Sequence, residues 1–142
     1  MNKFINREAE LSSLQQTFAS KGASLYVLYG RRRLGKTTLL RRFTENVPCI
    51  YHMADRGTER DAIRLLAQSM AEALGESTLA TASFSDWYGL FAAFDRFRPD
   101  EKICLIIDEY QYLTEIQPAF SSILQRWWDE HWSSQDIMLV LC

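Results

Sequence analysis

The sequence contains little cysteine and histidine, with three cysteines and two histidines among 142 residues. Cys49, Cys104 and Cys142 are widely spaced and form no CxxC motif, which argues against both a disulfide framework and a zinc site. Each cysteine lies in an apolar stretch, so we expect buried thiols that pack as small hydrophobic side chains. We expect the isolated His52 and His131 to be structural or surface residues rather than metal ligands.

The sequence also lacks an excess of charge of one sign and a long apolar run. Its 16 Lys and Arg residues nearly balance its 18 Asp and Glu residues, which argues against a polybasic protein that binds nucleic acid through charge alone. The longest apolar runs, residues 103–107 and 137–142, are far shorter than the roughly 20 residues of a membrane-spanning helix. Charged residues come too early at the start for a secretory signal. We therefore expect a cytoplasmic protein with no membrane partner.

Helix-type and strand-type segments alternate along the chain, without a repeat, a low-complexity tract or a linker. This alternation predicts an α/β fold with a mostly parallel sheet, in one domain spanning residues 1–142. The predicted helices cover residues 7–20, 36–45, 58–74 and two stripes near 87–94 and 118–128, and the predicted strands cover residues 24–29, 49–53, 103–107 and 137–142. We expect the first strand to be buried on both faces, because its residues are mostly apolar.

Residues with capping preferences mark several helix starts. Asn6 can cap the first helix, and Thr58 opens a capping box at the third. Ser83 or Ser85 is expected to cap the next long helix, and Pro118 is expected in the first turn of the last one. Aromatic residues of the last helix recur at helical spacing, which predicts core packing rather than a base-stacking surface.

The segment after the first predicted strand has the pattern G-x-x-x-x-G-K-[ST] of a P-loop. Its residues are Gly30, Arg31, Arg32, Arg33, Leu34, Gly35, Lys36 and Thr37. The two glycines permit backbone angles that turn successive N–H groups towards a phosphate, and the N-terminus of the following helix favours the same anion. Lys36 can reach the β- and γ-phosphates, and the Thr37 hydroxyl can bind Mg²⁺. The pattern therefore predicts a nucleoside triphosphate site.

Arginines are concentrated in and after this loop, where six of the 16 basic residues fall between positions 31 and 42. Arg31, Arg32 and Arg33 can add positive potential at the triphosphate or at a partner surface, or they can simply point to solvent. For Arg41 and Arg42 we favour a solvated helix face.

A pair of acids follows the third predicted strand, where Asp108 and Glu109 come directly after residues 103–107. A nucleotide on a parallel sheet lies beyond the carboxyl ends of the strands, so these acids can reach the same site. Asp108 is predicted to hold Mg²⁺, and Glu109 is predicted to deprotonate the attacking water. The second acid favours a hydrolase over a small-molecule kinase. A kinase must exclude water, so it has little use for a carboxylate that activates water.

Three segments together resemble the archaeal-type ATPases, a branch of the AAA+/STAND-like P-loop NTPases. They are residues 4–11, the loop and helix start at residues 29–40, and residues 106–113. The resemblance implies a three-layer α/β/α sandwich with strand order 5-1-4-3-2, ATP and Mg²⁺ as ligands, and ATPase activity. It also implies that the nucleotide-binding residues extend to Thr38 and that Phe4 and Arg7 lie near the adenine.

The sequence ends within the apolar run 137–142, whereas natural domains rarely stop inside a buried strand. We therefore expect a C-terminally truncated ATPase domain. The parts that the resemblance implies but this chain lacks are a polar sensor, a fifth strand, a helical lid and a further C-terminal domain. Without a fifth strand, one edge of the phosphate-loop strand is expected to be exposed.

The favoured function is Mg²⁺-dependent ATP hydrolysis by a switch or motor domain, with Lys36 and Glu109 as catalytic residues and Thr37 and Asp108 as metal ligands. The alternative is a nucleotide-dependent binding module with little or no hydrolysis, and its arginine cluster suggests DNA as a partner. The acidic isoelectric point of about 5.7 weighs against an extensive DNA surface. Self-association is a further hypothesis about partners.

Overall fold

Helices and strands alternate in the computed structural model, which describes residues 8–28 and 35–142. The strands are β1 (Ser24–Val27), β2 (Cys49–Met53), β3 (Ile103–Asp108) and β4 (Ile137–Leu141). The helices are α1 (Glu8–Ala19), α2 (Lys36–Thr44), α3 (Glu59–Leu74), α4 (Ser77–Thr81), α5 (Trp87–Phe97), α6 (Gln111–Ile116) and α7 (Phe120–Glu130), and a 3-10 turn spans Trp132–Ser134. The short α4 and α6 and the 3-10 turn were not predicted, whereas the other helices and the four strands lie where the pattern predicts them. Asn6, the predicted cap of α1, lies outside the described residues.

The four strands form one parallel sheet in the order β1-β4-β3-β2. This is the order that the family resemblance implies for these four strands. Because all four run in the same direction, their carboxyl ends share one edge of the sheet.

Helices cover both faces of the sheet, which confirms the predicted three-layer α/β/α sandwich. One face of the sheet, which we call the large face, packs against α3, α5, α6 and α7. The opposite face, which we call the small face, packs against α1 and α2. Strand β3 contributes buried side chains to both faces. Leu105 and Ile107 are buried on the large face, and Cys104 and Ile106 are buried on the small face.

Strand β1 is not buried on both faces, so that expectation was wrong. Leu25 is 47% exposed and Val27 is 42% exposed, while Tyr26 and Leu28 pack on the small face. The reason is position, because β1 is at the edge of the sheet and pairs with β4 on one side among the described residues. Apolar composition predicts a strand but does not tell a central strand from an edge strand.

Two helix starts also differ from the expectation. Neither Ser83 nor Ser85 caps α5. Asp86 directly precedes its first residue and accepts a hydrogen bond from the Gly89 N–H at 2.8 Å, which is the usual geometry of a cap. Pro118 lies in the turn before α7 rather than in its first turn. The Thr58 cap of α3 is confirmed, since its hydroxyl accepts from the Asp61 N–H at 3.1 Å.

The aromatic residues of α7 belong to the core, as predicted. Phe120 and Trp127 are buried on the large face, and Trp128 packs against it from a half-buried position. In the part of the chain that the structure describes, every helix is too short or too polar to cross a membrane.

Candidate functional site

The carboxyl ends of three strands meet at one point of the sheet edge. The Leu28 N–H donates to the Leu141 carbonyl at 2.9 Å, and the Cys142 N–H donates to the Ile107 carbonyl at 3.0 Å. The Tyr110 N–H then donates to the Cys142 carbonyl at 2.9 Å. The backbone therefore places Leu28, directly after β1, and Tyr110, just after β3, on either side of the end of β4.

The segment after β1 is the predicted phosphate loop, whose residues Gly30, Arg31, Arg32, Arg33 and Leu34 lie outside the described residues. The predicted adenine contacts Phe4 and Arg7 lie outside them as well. The described part begins at Gly35, which has a left-handed backbone with φ 81° and ψ 14°. A side chain would strain this conformation, so the second glycine of the pattern has a geometric reason.

Helix α2 begins directly after this glycine. Its Leu39, Leu40 and Phe43 are buried on the small face, which fixes the helix against the sheet. Lys36 is half-buried at the first position, and Thr37 and Thr38 are exposed in the same turn. The first N–H groups of a helix have no partner within the helix, so this terminus favours an anion.

Asp108 ends β3 and is a buried carboxylate, with 3% of its surface exposed. Its Oδ1 accepts from the Glu109 N–H at 2.9 Å, and its Oδ2 accepts from the Tyr51 hydroxyl. A buried charge requires such donors, because it has lost its hydration. The sequence pattern does not identify Tyr51 as a site residue, because only the pairing of β2 with β3 brings it to Asp108.

The thiol of Cys142 lies between the two predicted halves of the site. It is within hydrogen-bonding reach of both the Asp108 carboxylate and the Lys36 ammonium. Burial and the nearby Asp108 raise the pKa of the Cys142 thiol to about 11, while Lys36 acts in the opposite direction. The Cys142 thiol therefore senses both Lys36 and Asp108. Cys142 and Cys49 are only half-buried, which corrects the expectation that all three thiols are buried.

Glu109 turns the chain away from β3 with a left-handed backbone, at φ 56°. This conformation is uncommon for a residue with a side chain and is characteristic of functional sites. The Glu109 carboxylate accepts from the Gln111 side-chain amide at 2.7 Å, and its carbonyl accepts from the Tyr112 N–H at 3.0 Å. Gln111 thus holds the carboxylate beside the strand end.

The oxygen donors of this site have the chemistry that suits Mg²⁺. The Thr37 hydroxyl and the Asp108 carboxylate are hard oxygen ligands. Among residues 8–28 and 35–142, no three His, Cys, Asp or Glu side chains form a metal cluster. Mg²⁺ beside a nucleotide needs no such cluster, because waters and phosphates complete its shell. The Thr37 hydroxyl and the Asp108 carboxylate therefore fit a Mg²⁺ ion that binds together with the nucleotide.

Comparison with known proteins identifies the family to which the chain is similar. Residues 4–142 match a family described as an ATPase domain predominantly from Archaea. An uncharacterized protein of Methanocaldococcus jannaschii is 33% identical over 138 residues, which cover 97% of this chain and 29% of that protein. An uncharacterized ATP-binding protein of the same archaeon is 49% identical over 43 residues, which cover 30% of this chain and 73% of that protein. The chain thus spans less than a third of the length of the first relative. Since the family match covers nearly all of the sequence, the chain belongs to this family of ATPase domains.

Proposed function

We propose that this domain binds ATP and hydrolyses it in a Mg²⁺-dependent reaction that drives a switch or motor. The observation that carries the proposal is the meeting of three strand ends, where the Leu28 N–H donates to the Leu141 carbonyl and the Cys142 N–H donates to the Ile107 carbonyl. This geometry supports a phosphate-binding role for Lys36 at the start of α2 and a metal-binding role for Asp108 at the end of β3. The name of the ATP-binding relative supports ATP as the nucleotide.

The phosphate loop and α2 supply the binding part of this function. Backbone N–H groups between Gly30 and Thr38 surround the phosphates, and the Lys36 ammonium contacts the β- and γ-phosphate oxygens. Lys36 starts a helix that is packed on the sheet, so this helix needs little ordering when ATP binds.

The metal and the base supply the chemical part. Thr37 and Asp108 hold Mg²⁺, which neutralises charge on the phosphate oxygens when bound. Glu109 takes a proton from a water molecule whose oxygen attacks the γ-phosphorus, and the bond to the bridging oxygen breaks to release ADP. The Gln111 amide, 2.7 Å from Glu109, keeps that carboxylate in place.

The test compares phosphate release with nucleotide affinity in the protein and in matched variants. Glu109→Gln should keep ATP affinity within about threefold and lose at least a hundredfold in turnover, since a general base contributes about 10²–10⁴-fold. Lys36→Ala should lose both ATP binding and turnover. The control is Glu115→Gln, which changes an exposed glutamate of the neighbouring α6 and should leave both quantities unchanged.

Three results would contradict the proposal. Undiminished hydrolysis by Glu109→Gln would remove Glu109 from the role of base. ATP binding that survives Lys36→Ala would move the nucleotide away from α2. Phosphate release that persists in excess chelator would eliminate the dependence on Mg²⁺.

A further inference from the structure

Tyr51 makes a hydrogen bond that connects two strands at the candidate site. It lies in β2, where it is paired with Ile106 of β3, and its hydroxyl donates to the Asp108 Oδ2 two residues further along. The tyrosine ring is half-buried and packs against the small face. The contact joins residues 57 positions apart, so it depends on the order of strands rather than on local sequence.

The two donors to Asp108 act on different oxygen atoms. The Glu109 N–H binds Oδ1 at 2.9 Å, and the Tyr51 hydroxyl binds Oδ2. A carboxylate with a donor on each oxygen cannot rotate freely about its last bond. Each oxygen can still accept a further bond, because a carboxylate has about four lone-pair sites.

Tyr51 differs from the neighbouring cation in what it can contribute. Lys36 interacts with the same Cys142 thiol as Asp108 and brings a positive charge, whereas the phenol adds no charge to the site. Its contribution to a metal site is therefore orientation of the ligand. Donors of this kind beside a metal ligand typically change metal affinity by about 10- to 100-fold.

We propose that Tyr51 is a positioning residue, which orients the Asp108 carboxylate for a Mg²⁺–nucleotide complex. This inference rests on the proposed function, because it takes Asp108 as a metal ligand. It assigns to β2 a role in metal binding that neither the P-loop pattern nor the acid pair contains. The predicted consequence is specific: the hydroxyl matters for the dependence on Mg²⁺ and matters little for nucleotide binding without the metal.

The experiment titrates MgCl₂ against the protein and a fluorescent ATP analogue, and a parallel series is run in chelator. Tyr51→Phe removes only the hydroxyl. It should raise the Mg²⁺ concentration needed for half-maximal effect by about tenfold or more, with affinity in chelator within about twofold of the original protein. Tyr26→Phe is the matched control, because Tyr26 is also a half-buried tyrosine that packs on the small face. It should leave both quantities unchanged.

A double-mutant cycle separates positioning from general stability. Once Asp108→Asn has weakened the metal ligand, adding Tyr51→Phe should cause little further change in the dependence on Mg²⁺. A merely structural tyrosine would instead give additive losses, together with lower affinity in chelator.

The outcomes distinguish this inference from the proposed function. If the original protein binds the analogue without any dependence on Mg²⁺, the proposed metal role of Asp108 fails, and the inference fails with it. If the original protein depends on Mg²⁺ but Tyr51→Phe behaves like it, only the inference is overturned. Loss of the folded state in Tyr51→Phe would make the role structural and would overturn the inference as well.

Discussion

The two faces of the sheet differ in size and in what their polar groups contact. Among the described residues, 23 buried hydrophobic residues form the cluster on the large face and nine form the cluster on the small face. The large face contains the rings of Trp87, Trp127 and Trp132. Burial of aromatic rings makes a large contribution to folding, so most of the stabilisation comes from this side.

Polar groups of the large face are paired within the fold. Asp95 accepts from the indole N–H groups of Trp127 and Trp132 at 3.1 and 2.8 Å. Glu59 accepts from the Trp87 indole and the Gln117 amide, each at 2.9 Å. These carboxylates orient large rings in the core.

Polar groups of the small face are gathered at the strand ends instead. The Cys142 thiol interacts there with both Asp108 and Lys36, and the Tyr51 hydroxyl donates to Asp108 from β2. The large face stabilises the fold, and this stability allows the small face to hold the buried Asp108 carboxylate. Substitutions on the large face should therefore change stability and spare nucleotide binding.

The largest effect is expected for Phe91→Ala. Phe91 is fully buried on the large face, with ring centroids 5.4 Å from Trp132 and 6.0 Å from Trp127. Removing the ring should lower the free energy of unfolding by about 3–5 kcal/mol. Urea unfolding measures this, and Phe97→Ala, at a half-buried position of the same helix, should cost clearly less. A loss of ATP affinity in folded Phe91→Ala protein would break the separation of the two faces.

An intermediate effect is expected for Asp95→Ala. The change leaves two indole N–H groups and the Arg98 Nε–H, 3.1 Å from Asp95, without their acceptor, while the Arg98 Nη2 keeps its bond to the Gln135 side chain. The free energy of unfolding should fall by about 2–3 kcal/mol, because buried donors without a partner are costly. Asp129→Ala, which removes an exposed carboxylate of α7, is the control and should cost less than about 0.5 kcal/mol. Equal costs for the two variants would show that the Asp95 contacts add nothing.

The smallest effect is a dependence of stability on pH that comes from His52. Burial lowers the pKa of His52 to about 4, and its Nδ1 lies 2.7 Å from the Ser69 hydroxyl on α3. The unfolded chain takes up this proton near pH 6.5, so the contribution is complete above that pH and is lost as the pH falls towards 4. At pH 5 the loss should be about 1–2 kcal/mol.

The check is urea unfolding at pH 7 and pH 5 in three proteins. His52→Gln should show a smaller loss between the two pH values than the original protein. His131→Gln should retain the loss, because it leaves His52 in place. An identical pH dependence in His52→Gln would show that other groups account for it.

Local pattern was sufficient for most of the elements and for the acid pair. Alternating apolar segments predicted all four strands, since buried strands and amphipathic helices have different periods. The capping residue Thr58 marked the start of α3, because its chemistry is local. The phosphate loop was recognisable for the same reason, although the residues before Gly35 stay a prediction.

Contacts between distant segments could not be predicted in this way. The exposure of Leu25 and Val27 follows from the edge position of β1, which no local pattern records. The Tyr51 hydrogen bond and the indole bonds of Asp95 join different elements. They exist only once the strand order and the helix packing are set.

The sequence by itself determined that the chain forms an α/β fold, and it contains the pattern of a P-loop and an acid pair. The reason is that hydrophobic period, glycine freedom and helix capping act over a few neighbouring residues. Only the tertiary structure decided which side chain donates to Asp108 and which thiol interacts with both Asp108 and Lys36. Those contacts depend on strand order and register, which are set by the packing of the whole sheet rather than by any one segment.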